Sequence, residues 1–178
     1  MQALKNRFII KFEYEKYDNS DASSRKAEPL ALKEFESRWY LLAKDQKGDA
    51  VKIFALDRMS NIETTKQHFK ADKGFNVNTY FEHCFGIVRP AEPNAKPEEI
   101  ILSFKGNKGK YIKSLPLHAS QQIIKDEEQE LQVKLLLFIT HDLIMEILKH
   151  GNEVEVLQPE RLRKRVKGIL IEAITFYE

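Results

Sequence analysis

Arg25 and Arg58 are the residues of the first half best suited to chemistry, and the chemistry they suit is anion binding. Arg25 leaves a polar loop (Asp18 to Ser24) and enters an extended segment, while Arg58 ends the run "IFALDR". A guanidinium presents a planar fork of donors that matches phosphate with two parallel hydrogen bonds, so two of them at strand ends can hold one. Either can equally pair with a carboxylate close by, Glu28 for Arg25 and Asp57 for Arg58. Tyr40 lies in "RWYLLAKD", the stretch Arg38–Asp45. Successive side chains on a strand alternate between faces, so Trp39 and Leu41 share one face and Tyr40 takes the other. A ring there can stack a base and offer its hydroxyl to a phosphate. It can also sit in a strand buried on both sides, because Leu42 shares its face and is apolar. Trp39 reads mainly as core. Ser24, Lys44 and Lys52 are further candidates, chosen for polarity and nearness to these strands, and each also fits a plain solvated position.

Other chemistry is not signalled. The histidines, His68, His83, His118, His141 and His150, form no HExxH or comparable metal-binding spacing. His83 and Cys84 are neighbours that a strand would point to opposite faces. His141–Asp142 falls at a helix start, where an acidic residue favours the dipole. "KGNKGK" lacks the spacing of a phosphate loop, and no GxSxG elbow occurs. Nothing argues for an enzyme, and no cofactor is expected. "RLRKRVKG" (Arg161–Gly168) resembles a nucleic-acid patch, but Leu162 and Val166 at helical spacing make the basic residues the solvated face of a packed helix.

These residues need elements to position them. "FIIKFEY" alternates with period two and predicts a half-buried strand. "RKAEPLAL" continues extended, with Pro29 tolerable at a sheet edge. "RWYLLAKD" and "VKIFALDRM", joined by the turn-rich "QKGD", predict a hairpin. "SNIETTKQHF" adds a strand, so residues 1–70 read as a small β-barrel. Residues 71–96 read as a connector, with a short helix in "FNVNTYFEHCFGI" and the proline-rich "RPAEPNAKP". Residues 97–178 predict α+β: a strand "EIILSF" with Ile100, Leu102 and Phe104 inward, then "GNKGKYIKS" as a short helix or loop. Two strands follow around an acidic turn at Asp126–Glu130. After them come a helix carrying Leu143, Ile144, Ile147 and Leu148 on one face, a strand "NEVEVLQ", and a helix begun by Pro159.

The chain has 178 residues and a net charge of +2. No global field therefore demands a nucleic-acid partner, and the slight basic excess lies in the first half. A single cysteine excludes an internal disulfide and fits a cytosolic setting. No signal-peptide core is visible, and the most apolar run, Leu135 to Ile139, is too short to cross a bilayer.

"SRKAEPLALKEFESRWYLLAKD" followed by "IFALDRM" resembles the WYL domain. Three linked elements carry the resemblance: Arg25 with Pro29, the triplet Trp39–Tyr40–Leu41, and Phe54, Leu56, Asp57, Arg58 and Met59. "FNVNTYFEHCFGI", "YIKSLPLHASQ" and "VEVLQPERLRKRV" resemble the linker and C-terminal extension, WCX, that accompany WYL domains in bacterial transcriptional regulators. The resemblance covers nearly the whole chain. It implies a short opening helix and an Sm-like or SH3-like barrel for residues 1–70, and a ferredoxin-like βαββαβ arrangement for the rest. It also implies a sensor for a nucleotide or single-stranded nucleic acid that alters DNA binding by an N-terminal helix-turn-helix, with the protein commonly a homodimer. That helix-turn-helix is missing here, so the chain reads as a fragment of a longer regulator. One departure is Leu30, where many members carry His after the proline. It favours a structural dimerisation module without ligand as the alternative. "His118-Ala-Ser120-Gln121" also resembles the family, and reads best as a turn supporting a dimer contact.

Overall fold

The alternation of "FIIKFEY" is realised as strand β1 (Phe8–Tyr14), with Ile10, Phe12 and Tyr14 buried on one face and Lys11 and Glu13 exposed on the other. In the computed structural model, residues 2–17, 21–48, 50–70, 74–92 and 94–178 are described. Asp18–Ser20 of the expected loop, Asp49 of the hairpin turn, and Ala71–Lys73 and Pro93 of the expected connector lie outside them. The chain divides into two units, Met1–Tyr80 and Phe81–Glu178.

The first unit opens with helix α1 (Gln2–Asn6) and β1. It continues with β2 (Ser23–Phe35), β3 (Arg38–Asp45), β4 (Val51–Ala55), a 3-10 turn Leu56–Arg58 and β5 (Met59–His68). All pairings are antiparallel, in the order β4-β3-β2-β1-β5. A two-residue turn joins β2 to β3, with Glu36 and Ser37 both at positive φ, the conformation that matches strand twist in a tight hairpin. Ile10, Phe12, Tyr14, Ala27, Leu41, Ala43 and Phe54 form its core on one face.

Three expectations need correction here. The sheet is open rather than a closed barrel: β4 and β5 are its two edges. The five residues of β4 run straight into the 3-10 turn, and the chain emerges with Met59 already opposite Tyr14 of β1, so no length remains for β4 to pair with β5. Pro29 is not at an edge. It lies in β2, between β1 and β3, where the register shifts between Pro29 and Ala31; a bulge is the interior site that tolerates a residue without an N–H. Trp39 is not core but 51% exposed. β4 ends at Ala55, opposite Tyr40, so no strand flanks Trp39 on that side.

Ahead of the second sheet, α2 (Val77–Phe81) is started by Asn76, whose Oδ1 accepts the Asn78 and Thr79 amides at 2.8 and 3.4 Å. There follow β6 (Glu98–Lys105), α3 (Lys108–Ser114), β7 (Gln122–Glu127), β8 (Glu130–Leu137), α4 (His141–Lys149), β9 (Val154–Gln158) and α5 (Glu160–Ile174). The sheet is antiparallel in the order β7-β8-β6-β9. Ile100, Leu102 and Phe104, the expected inward set, are fully buried with Val133, Leu135 and Leu137 of β8. Leu143, Ile144 and Ile147 of α4 and Leu162 and Val166 of α5 complete this core. Gly151 at φ 57 follows α4 as the left-handed residue a helix exit favours.

Asp142 does more than the helix-start reading foresaw: its Oδ2 accepts the Ile87 and Val88 amides, both at 2.9 Å, and so ties the chain before β6 to α4. The His118–Gln121 turn is tied to neighbouring elements, with Ser120 Oγ accepting the Leu136 amide of β8 at 3.1 Å. Gln121 accepts the Leu117 amide at 2.9 Å and donates to the Ile112 carbonyl at 3.2 Å.

Gly109 marks the tightest approach of α3 to the sheet. A Cβ placed there would lie 2.7 Å from the Cβ of Leu131, an atom fixed directly to the backbone that cannot swing away. Gly109→Ala should therefore lower stability by about 1–3 kcal/mol, as overpacking does, read as a drop in the thermal unfolding midpoint.

Candidate functional site

Directly opposed residues on antiparallel strands project to the same face, so the register decides which polar side chains meet. Arg25 stands opposite Phe12, and Ala27 stands opposite both Ile10 and Asp45. Lys52 stands opposite Ala43. Arg25, Asp45 and Lys52 thus occupy the core face at one end of the first unit's sheet, with Arg25 and Lys52 diagonal to Asp45 from either side.

The Asp45 side chain has no solvent exposure. Its Oδ2 lies 3.3 Å from Nη1 of Arg25 and 2.7 Å from Nζ of Lys52, and its Oδ1 accepts the Lys47 amide at 3.0 Å. Burial alone would raise the carboxyl's pKa. The Lys52 ammonium, the Lys47 amide and the Arg25 guanidinium outweigh it and hold the pKa below the ordinary value. Two cations on one carboxylate leave this end of the sheet with a net positive charge.

Nε of Arg25 donates to Ser23 Oγ at 3.1 Å, and Ser23 Oγ donates to the Tyr14 carbonyl at 3.3 Å. The Tyr14 ring packs edge-on against Phe54 at 5.0 Å, while its hydroxyl accepts the Ala55 amide at 3.3 Å. Arg58 lies over Tyr14 at 4.8 Å and over Tyr17 at 4.5 Å, and its Nε donates to the Glu15 carbonyl at 2.9 Å. Cation–ring contacts of this kind hold a guanidinium flat without consuming its terminal donors, and those of Arg58 have no partner among the described residues. Lys52, Asp45, Arg25, Ser23, Tyr14, Arg58 and Tyr17 therefore form one connected chain of contacts.

The sequence candidates separate accordingly. Arg25 and Lys52 meet on Asp45, and Arg58 joins them through Tyr14. Tyr40, half-buried opposite Lys33 and Ala55, faces away from Arg25, as do Lys44 and the exposed Ser24. Leu42, on the Tyr40 face, has no exposure, so the strand is buried on both sides there. The carboxylate partners also differ from those the sequence suggested: Arg25 takes Asp45 rather than Glu28, and Asp57 lies 3.6 Å from Arg38 rather than pairing with Arg58. Asp45, Ser23, Tyr14 and Tyr17 were not foreseen. The Pro29 bulge is the signal that would have placed Asp45 beside Arg25.

Farther along the same face is a hollow of about 550 Å³, lined chiefly by Ile10, Leu32, Leu41, Leu56, Met59 and Ile62. Its walls are chiefly apolar, with Gln2 and Thr64 as the polar side chains among them. Among the described residues no group of three His, Cys, Asp or Glu is placed to hold a metal, and no helix is long and apolar enough to cross a membrane.

Residues 1–64 match the family model of the WYL domain, and residues 96–174 match that of the WCX domain. The chain joins a WYL domain to a WCX domain. Among curated proteins none matches it. Two similar solved structures are the proteasome accessory factor B/C (PafBC) of Arthrobacter aurescens and a CRISPR Cas-related protein. The first is 22% identical over 93% of this chain and 24% of its own, with a TM-score of 0.42. The second is 10% identical over 99% of this chain and 49% of its own, with a TM-score of 0.56, a likeness of fold. This WYL–WCX chain thus spans about a quarter of the one and half of the other.

The Asp45 cluster makes the WYL unit sensitive to acid in a defined direction. A carboxylate whose folded pKa is depressed adds stability above its unfolded value of 3.8, and that stability is lost as pH falls through the folded pKa. Asp45→Asn should cost about 2 kcal/mol at neutral pH by leaving the half-buried Arg25 unpaired. The difference from wild type should shrink in strong acid, as denaturant titrations at the two pH values would show.

Proposed function

We propose that this WYL–WCX chain is a non-enzymatic regulatory module whose WYL unit senses an anionic ligand, a nucleotide or a single-stranded nucleic acid. In this reading it alters DNA binding by a helix-turn-helix domain of the longer regulator and signals through the geometry of a homodimer. The observation that carries it is the excess positive charge of Arg25 and Lys52 over Asp45, running on to a guanidinium that lies over two tyrosine rings and whose terminal donors meet no partner among the described residues. Phosphate meets the cations, and a base meets the exposed ring of Tyr17, which is the usual division of labour on a single strand. Tyr40, Lys44 and Ser24 face the other way and fall outside this site. The strand orders support reading the first sheet as Sm-like or SH3-like without closure, and the second unit as ferredoxin-like.

One observation favours the alternative, a dimerisation module without ligand: Asp45 already satisfies Arg25 and Lys52, as Leu30 in place of the family's His would suggest. Fluorescence anisotropy with short labelled single strands decides between them. The expected result is binding that weakens with salt and falls about tenfold in Arg58→Ala, the scale of one stacking or charged contact, while Ser24→Ala leaves it unchanged. Absence of salt-dependent binding to any single strand or nucleotide would leave only the structural reading. Tight duplex binding that survives Arg25→Ala and Arg58→Ala would replace both.

A further inference from the structure

The hollow of about 550 Å³ on the core face of the WYL unit is held open by local features of the chain. β4 and β5 do not pair, so the core face is not drawn shut. Helix α1, packed at its side, presents Ala3 where a larger apolar side chain would fill the space. β5 also bulges there. Asn61 and Ile62 stand between the pairs Glu13–Ser60 and Lys11–Glu63, two residues against Phe12 alone. Asn61 takes φ 49, the left-handed conformation that asparagine tolerates better than most residues, and its side-chain amide donates to Glu13 at 2.9 Å. A bulge re-aims a side chain, and this one sets Ile62 on the wall of the hollow with 55% of its surface exposed. Apolar surface kept in water forgoes the stabilisation that burial would bring, and one bulkier residue at position 3 would recover part of it.

The lining says what can enter. Ile10 and Leu41, 6% and 4% exposed, form the floor. No charged side chain lines the hollow, in a chain of which 31% of the residues are charged. The ligand whose charge complements it is an uncharged one. Gln2 on α1 and Thr64 on β5 are the polar side chains of the wall, and neither makes a side-chain hydrogen bond among the described residues. Apolar walls with a few polar groups, enclosing roughly 300–1,000 Å³, are the ordinary form of a small-molecule site.

We propose that this hollow binds an uncharged, largely apolar small molecule carrying one hydroxyl or carbonyl group, of the size of a medium-chain alcohol or ester. The apolar body lies on Ile10 and Leu41, and the polar group meets Gln2 or Thr64. Arg25, Asp45, Lys52 and Arg58 are not among the lining residues, so this site and the anion site can each fail without the other.

Titration of the full chain with N-phenylnaphthylamine, an uncharged dye that brightens out of water, and its displacement by straight-chain primary alcohols test this. Affinity should rise about fourfold for each methylene added, the transfer value of one buried methylene, and level off once the hollow is full. Ala3→Leu should bring that limit to shorter alcohols, because the added carbons occupy the same space. Ile62→Asp should weaken decanol about tenfold or more by setting a charge on the wall, with circular dichroism unchanged because the side chain is half exposed. Affinity that climbs without limit and ignores both substitutions would be adsorption to the surface and would overturn the site, as would dye binding that never saturates. Decanoate displacing the dye better than decanol would overturn it in favour of the cations. Dye binding lost as the protein self-associates would overturn it in favour of a second copy of the chain.

Discussion

A carboxylate shut out of water costs several kcal/mol unless its charge is answered on the spot, and in the first unit that condition falls on Asp45. It is answered from both neighbouring strands, by Arg25 on β2 and Lys52 on β4, and by the amide of Lys47 in the turn it leads into. The arrangement requires the three strands to stand in one register, because a slip of one residue would turn Asp45 to the other face. Specifying a pairing rather than maximising stability is the best-attested use of buried charge. The aromatic core follows from the same register. Phe12 lies opposite Arg25 and packs at 5.0 Å on Phe54, and Tyr14 closes the set and carries Arg58 on its outer face.

The second unit uses a carboxylate to a different end. Glu130 accepts from Ser103 Oγ at 2.5 Å and from the ammonium groups of Lys105 and Lys125 at 2.8 and 2.5 Å, which together hold its pKa far below the ordinary range. Ser103 has no exposure although it projects away from the apolar core. Its hydroxyl donates to Glu130, with Gln132 and Glu155 directly opposite it on the flanking strands, and the ammonium groups of Lys105 and Lys125 meet Glu130 at the ends of long stems. Asp45 closes one end of a core, whereas Glu130 roofs the polar face of a sheet.

Local pattern made much of this readable. Period two in β1 and β6, the 3.6-residue spacing of Leu143, Ile144 and Ile147 in α4, and Leu162 with Val166 in α5 announced their elements and inward faces, because each follows from which side of one element meets water. The residues of the candidate site were only half legible. Arg25, Lys52 and Arg58 stood out by type, but their partners depend on pairing between strands, which residue type does not encode. Counting back from the Glu36–Ser37 turn without a bulge sets Glu28 opposite Asp45. The bulge at Pro29 sets Ala27 there instead, and so brings Arg25 and Asp45 to one face. Closure of the sheet was illegible for a related reason. Whether β4 meets β5 depends on how the chain leaves the 3-10 turn, and no hydrophobic pattern reports that.

Trp39 carries a consequence of its own. As the chain's single indole, half in water beside the β2–β3 turn and beyond the end of β4, it dominates the intrinsic emission while standing outside the core. The optical signal of this protein therefore starts near that of a solvated indole and has little room to shift to the red when the core melts. It has ample room to move to the blue when something covers the tip of that hairpin. The chain thus carries a built-in optical reporter of surface events rather than of unfolding.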